Sequence, residues 1–175
     1  LDKGETGQFD DCGMILGDVF ESELGLTMAY VGFSKPAGSK FNAFTGLSFS
    51  RDGGETFNRY KSTPVLGREP NALTINAIHS VENLGNDMYG IYCAKGSSWE
   101  EINGKPFPKY SIFHGVSQGI SNLDEVNWKE IISPISPEYR IGRPRVFLGP
   151  KKILTYTYGT TSGKYESGVA VLDQA

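Results

Sequence analysis

Cysteine, histidine, long apolar runs and clustered basic residues are all scarce in this chain, and each shortage removes a class of function. Cys12 and Cys93 are its only cysteines. They are too few for a disulfide framework and lack metal-site spacing, so two separate reduced thiols are expected. His79 and His114 are the only histidines, and no carboxylate cluster flanks either; no metal and no other cofactor is expected. No apolar run approaches the roughly 20 residues needed to span a bilayer, so no membrane partner is expected. Lys and Arg total 17 against 20 Asp and Glu, a net charge of −3 without a basic patch in the sequence. That balance argues against nucleic acid as a partner. A Gly-rich phosphate loop is lacking, and no Ser–His–Asp ordering stands out. No secretory leader is visible, yet the chain begins at Leu1. Cytoplasmic residence is the expectation, against the alternative that an upstream segment has been removed.

What the sequence does have is punctuation. Its 22 Gly and 9 Pro are scattered rather than tracted, and 38% hydrophobic residues suffice for a packed core. Short aromatic or β-branched runs lie between them, with period-2 alternation and no long helical pattern, which makes the chain all-β. The most informative stretch is Ser50 to Phe57, which reads S-x-D-x-G-x-T-F. Asp52 can fold its carboxylate back onto nearby backbone N–H groups, Gly53-Gly54 supply left-handed positions, and Thr56-Phe57 restart a strand. The pattern resembles the Asp-box of sialidase-type β-propellers, a structural corner between the third and fourth strands of a blade.

Comparison of the chain with itself gives a repeat. The first unit runs through 14–20, 26–33, 44–50 and 56–61. The second runs through 74–81, 88–94, 110–117 and 127–132, and the third through 143–148, 153–158 and 165–172. Tyr30, Tyr92 and Tyr156 correspond in the second strands, and Gly46, Gly115 and Gly168 in the third. Residues 121–127 stand in for the box in the second unit, and residues 96–108 read as a long insertion. The expected fold is an all-β propeller of four-stranded antiparallel blades: blade one over residues 9–62, blade two over 70–133, and an incomplete blade three over 140–175. An ordinary β-sandwich is the alternative.

The succession Gln8 to Met14, Met28 to Phe33, Leu47 to Phe57 and Arg140 to Val146 is similar to the five-bladed β-propeller glycoside hydrolase superfamily. A five-bladed ring takes about twice this length, so the resemblance implies a partial propeller completed by missing blades or by self-association. It further implies a carbohydrate ligand in a central funnel, cut by two carboxylates in different protonation states. Carried over, Asp11 or its neighbour Asp10 matches the first-blade carboxylate, and Glu138 is the available acid. Asp11 can instead cap the turn at the entry to the strand, and Asp18 faces the funnel or an edge. Arg143 is placed to donate a bidentate fork to substrate, or to pair with Glu138 or Asp11. Asn76 lies with His79 on the first strand of blade two, as a substrate contact; His79 itself is a structural residue or a base. Trp99 either stacks on a sugar or staples a loop. The competing function is a non-catalytic module that binds a glycan or a protein.

Overall fold

The structure is a computed structural model in which residues 1–121 and 123–172 are described. Eleven strands are present among them: β1 (Met14–Ser22), β2 (Gly25–Ser34), β3 (Asn42–Ser50), β4 (Asn58–Arg59), β5 (Ile75–Gly85), β6 (Met88–Ile102), β7 (Lys105–Gln118), β8 (Lys129–Ile132), β9 (Glu138–Phe147), β10 (Lys152–Thr160) and β11 (Tyr165–Leu172). Each run read as a strand from the sequence contains one, although of 56–61 only Asn58–Arg59 is strand. Asn122, in the second unit's degenerate turn, and residues 173–175 lie outside the described residues.

The propeller expectation is corrected by the pairing. All eleven strands belong to one continuous sheet in the order β1-β2-β3-β5-β6-β7-β9-β10-β11, with β4 on β3 and β8 on β7. Discrete blades require each unit's first strand to leave the edge of the preceding sheet. Here β5 starts alongside β3 in parallel, Ala43 opposite Ile75 and Phe44 opposite Asn76. The Thr45 hydroxyl reinforces that seam, donating to Asn76 O (2.9 Å) and accepting from Ile78 N (2.8 Å). A second parallel contact, Tyr110 opposite Arg140, joins β7 to β9. Strands far apart in the sheet order, β1 with β5 and β5 with β9, nonetheless touch. The sheet is therefore curled into a half-barrel, and the likeness to a five-bladed propeller superfamily does not survive it.

The insertion expected at residues 96–108 is a second difference. β6 and β7 remain paired from Ser98–Lys109 out to Ile102–Lys105. The tip, Asn103-Gly104, has positive φ at both residues (52° and 71°), the type I′ turn whose twist matches the flanking strands. The segment is thus a long hairpin rather than a loop.

Each unit's first strand carries one extra residue at an equivalent place. The pairing slips at Gly17 in β1, at His79 in β5 and at Arg143-Pro144 in β9. Such bulges bend the strand and re-aim the side chains beside them. The tyrosines and the glycines that correspond between units prove to face each other across strands in two of them, Tyr30 opposite Gly46 and Tyr156 opposite Gly168. A side chain at Gly46 or Gly168 would run into the rings of Tyr30 or Tyr156, at 2.4 and 2.3 Å. The second unit substitutes another contact, with Tyr92 opposite His114 and the rings 4.5 Å apart.

The Ser50–Phe57 corner forms as its chemistry requires. Gly54 N donates to Ser50 Oγ (2.8 Å) and Thr56 N to Asp52 Oδ1 (2.9 Å), while the Thr56 hydroxyl donates to Asp52 Oδ2. Gly53 and Gly54 take φ of 74° and 100°. The corner delivers β4, and β4 delivers Arg59, whose Nη2 lies 2.7 Å from Asp10 Oδ2. Arg59 Nε also bonds Asp10 Oδ2 and Tyr30 Oη, both at 3.1 Å. Asp10 is fully buried, so this pair closes the first unit from inside. Around it Phe9, Tyr30 and Phe44 form one small apolar cluster, while the main core gathers Ala29, Leu47, Ile78, Ile91, Cys93 and Ile120.

Two predictions follow from the corner and the pair it positions. Arg59→Met strands the Asp10 carboxylate and is expected to cost about 3–5 kcal/mol in urea unfolding. Adding Asp10→Asn should recover much of that; a single-mutant loss below about 1 kcal/mol would show that the pair behaves as a surface one. Hydrogen bonds from Ser50 and Thr56 hold the Asp52 carboxyl well below its ordinary 3.8. Its contribution to stability is therefore complete above that value and disappears as the pH falls below it. Asp52→Asn should flatten the acid limb of a plot of Tm against pH.

Candidate functional site

Where β1, β5 and β9 come side by side, no backbone ladder joins them. Side chains do the joining. Asp18, just past the β1 bulge, accepts from Val81 N of β5 (2.7 Å) and from Arg145 Nη1 of β9 (3.2 Å). Val146 N of β9 donates to Ser80 Oγ, just past the β5 bulge (3.2 Å). On this junction sits a cleft of about 380 Å³, within the range of about 300–1,000 Å³ usual for small-ligand sites. Its floor is apolar: Val31, Ala43, Ile75, Ala77 and Ala94, which form one buried cluster. Its walls are aromatic and cationic, with Phe41, Phe107, Tyr110 and Tyr165 beside Lys40, Arg140 and Arg143. No Asp or Glu is among the described residues lining it.

The bulges explain why these cations meet. Regular alternation puts Arg140 and Arg143 on opposite faces of β9. The extra residue at Arg143-Pro144 turns both to the cleft, and Arg143 holds a left-handed φ of 53° to do so. That conformation is uncommon for a bulky side chain and accumulates at working sites. Gly142 is needed between them, because a side chain there would meet the Tyr110 ring at 2.6 Å and push it out of the wall. Phe107 reaches the cleft from the long β6–β7 hairpin, and Lys40 Nζ lies 5.7 Å from its ring centre.

His79 sits in the same wall on the β5 bulge, almost fully buried. Burial first, then the charges of Arg145 and Arg143, push its pKa down to about 3. The imidazole is therefore neutral at physiological pH and adds no charge of its own. Burial raises the Tyr110 hydroxyl to about 12, against the opposing pull of Arg140 and Arg143, so it stays a neutral donor.

Of the residues singled out from sequence, Arg143 and His79 line this cleft. Asp10 is consumed by Arg59. Asp11 lies in a separate depression with Phe9, Lys35 and Pro64. Its Oδ2 accepts from Gly7 N (2.9 Å), and that bond chiefly lowers its pKa. Glu138, at the start of β9, accepts from Ile135 N (3.0 Å) through Oε2. Arg143 makes an ion pair with neither of them. Asn76 is fully buried and donates to Gly67 O (2.9 Å), bracing the loop that follows β4. Trp99 packs edge-on against Phe41 at 5.3 Å, so it supports a cleft wall from behind. Lys40, Phe107, Tyr110, Arg140 and Tyr165 were not legible as site residues. The Asn103-Gly104 turn was a usable signal for the hairpin that brings Phe107, and the Arg140–Arg145 stretch was one for the cations.

No protein-family model matches the sequence, and no curated protein matches it. A solved structure described as a glycoside hydrolase is similar in fold, with a TM-score of 0.65 and 16% identity over 96% of this chain. The match covers 48% of that protein, so the chain spans about half its length. At that identity the likeness is one of fold. Among the described residues no helix is long and apolar enough to cross a membrane.

The His79 environment predicts a pH dependence of opposite cause to that of a carboxylate. In the unfolded chain the imidazole takes a proton near its ordinary 6.5, while in the folded chain it resists until about 3. Stability should therefore fall as the pH drops through that window, by about 1.4 kcal/mol per unit for one proton. His79→Gln should remove this slope in urea unfolding between pH 6.5 and 4; an unchanged slope would assign it to other groups.

Proposed function

We propose that this chain binds a carbohydrate in the cleft over β1, β5 and β9. The observation that carries the reading is the pairing of aromatic faces with fixed donors on an apolar floor. Phe107, Tyr110 and Tyr165 stand beside Arg140 and Arg143 around a space of about 380 Å³. A sugar presents the complementary surface: C–H faces that pack on aromatic rings, and hydroxyls that need hydrogen-bond partners. The fold likeness to a protein described as a glycoside hydrolase agrees with such a ligand.

Binding is favoured over hydrolysis at this cleft by its charge. Glycosidic cleavage needs two carboxyl groups about 5–10 Å apart across the bond. The cleft wall offers cations instead, and Asp11 and Glu138 accept backbone hydrogen bonds elsewhere. The hydrolytic reading keeps one specific support, the description of the similar structure.

Calorimetric titration against a panel of oligosaccharides tests both. Saturable binding without turnover is expected, and Tyr110→Ala should weaken it about tenfold, near 1.4 kcal/mol. Failure of every oligosaccharide to bind would overturn the carbohydrate reading. Turnover of an aryl-glycoside that is lost in Asp11→Asn would replace binding with hydrolysis.

A further inference from the structure

Arg140 is the least compensated charge among the described residues. It is only 7% exposed, and its guanidinium is held by rings, with Tyr165 at 4.0 Å, Tyr139 at 4.7 Å and Phe107 at 5.4 Å. Among the described residues no carboxylate pairs with it, and its buried Nε has no hydrogen-bond partner there. Guanidinium stays protonated at any pH a protein tolerates. A buried cation of this kind is costly unless an anion completes it. Beside it Arg143 likewise has no ion pair among the described residues, and its left-handed φ is held in the β9 bulge. These cations share the cleft with Lys40 and no acidic residue, although the chain as a whole carries a net charge of −3. The local excess of positive charge is thus opposite to the overall balance.

We propose that the cleft takes an acidic sugar, a uronate unit of a glycan, with its carboxylate seated between Arg140 and Arg143 and its ring against Tyr110. The inference rests on the carbohydrate reading and specifies its ligand. Neutral hydroxyls satisfy donors but leave the charge uncompensated, whereas a carboxylate does both, and the planar guanidinium fork matches it. A sulfate ester on a sugar shares the oxyanion chemistry and is separated by experiment.

The test is a titration of the chain with an oligogalacturonate, a neutral galacto-oligosaccharide of equal length, a sulfated one, and acetate alone. The uronate oligosaccharide should bind at least about tenfold more tightly than the neutral one at low salt, with the advantage shrinking as ionic strength rises. Arg143→Gly removes the charge while accepting the left-handed φ, so it should keep the Tm and lose the advantage. Arg140→Met keeps the aromatic cage filled and should lose it too; if that variant does not fold, Arg143→Gly decides alone. Equal affinity for acidic and neutral oligosaccharides, or an advantage that persists in Arg143→Gly, overturns the acidic-sugar assignment and leaves carbohydrate binding standing. Tighter binding of the sulfated oligosaccharide overturns the uronate in favour of a sulfate. Acetate matching the uronate oligosaccharide, or no saccharide binding at all, overturns the carbohydrate reading and this inference with it.

Discussion

The carboxylate of Asp18 holds the three first strands together, and the site exists because they are together. It accepts from the backbone of β5 and from Arg145 of β9 at once, while Ser80 adds a second tie between β5 and β9. A curled sheet has no ladder across its mouth, so the mouth must be fixed by side chains or left open. One short acidic side chain reaches both neighbours because the bulge at Gly17 displaces it by one residue. A side chain at Gly17 would meet Ala29 O at 2.7 Å and Ile78 O at 2.4 Å, so the close approach of β1 to β5 depends on that glycine as well.

Pairing Asp18 with Arg145 also sets the charge of the cleft. Arg145 is neutralised at the junction, whereas Arg140 and Arg143 are left to face the cavity. Burial first, and then the charges of Arg145 and Arg143, keep His79 neutral, which prevents a further positive charge from adding to the wall. The apolar floor lowers the local dielectric and strengthens whatever charge interaction a ligand makes there. The same small side chains that let the strands pack closely thus form the apolar floor of the cleft.

Much of the local structure was legible in the sequence. Most of the strand runs and the Ser50–Phe57 corner follow from spacing and turn chemistry within a few residues. The architecture was not. Whether units separate into blades or fuse into one sheet depends on two short parallel contacts, Ala43-Phe44 with Ile75-Asn76 and Tyr110 with Arg140. Neither leaves a local pattern, because parallel partners are remote in the chain. Carboxylates attracted attention as acid–base candidates, yet Asp10 serves Arg59 and Glu138 caps a turn. Burial and partner decide such roles, and period-2 alternation carries neither.

By itself the sequence determined the all-β character, the turn between β3 and β4 and the repeat of strand order, because these depend on propensity and on neighbours close in the chain. Only the tertiary structure decided that the units join edge to edge, that three bulged strands meet, and that cations rather than carboxylates face the cleft. The physical reason lies in the bulges. One extra residue reverses the alternation of a strand, so the facing of Arg143 is settled by a pairing irregularity with β10 that the order of residues in β9 does not reveal.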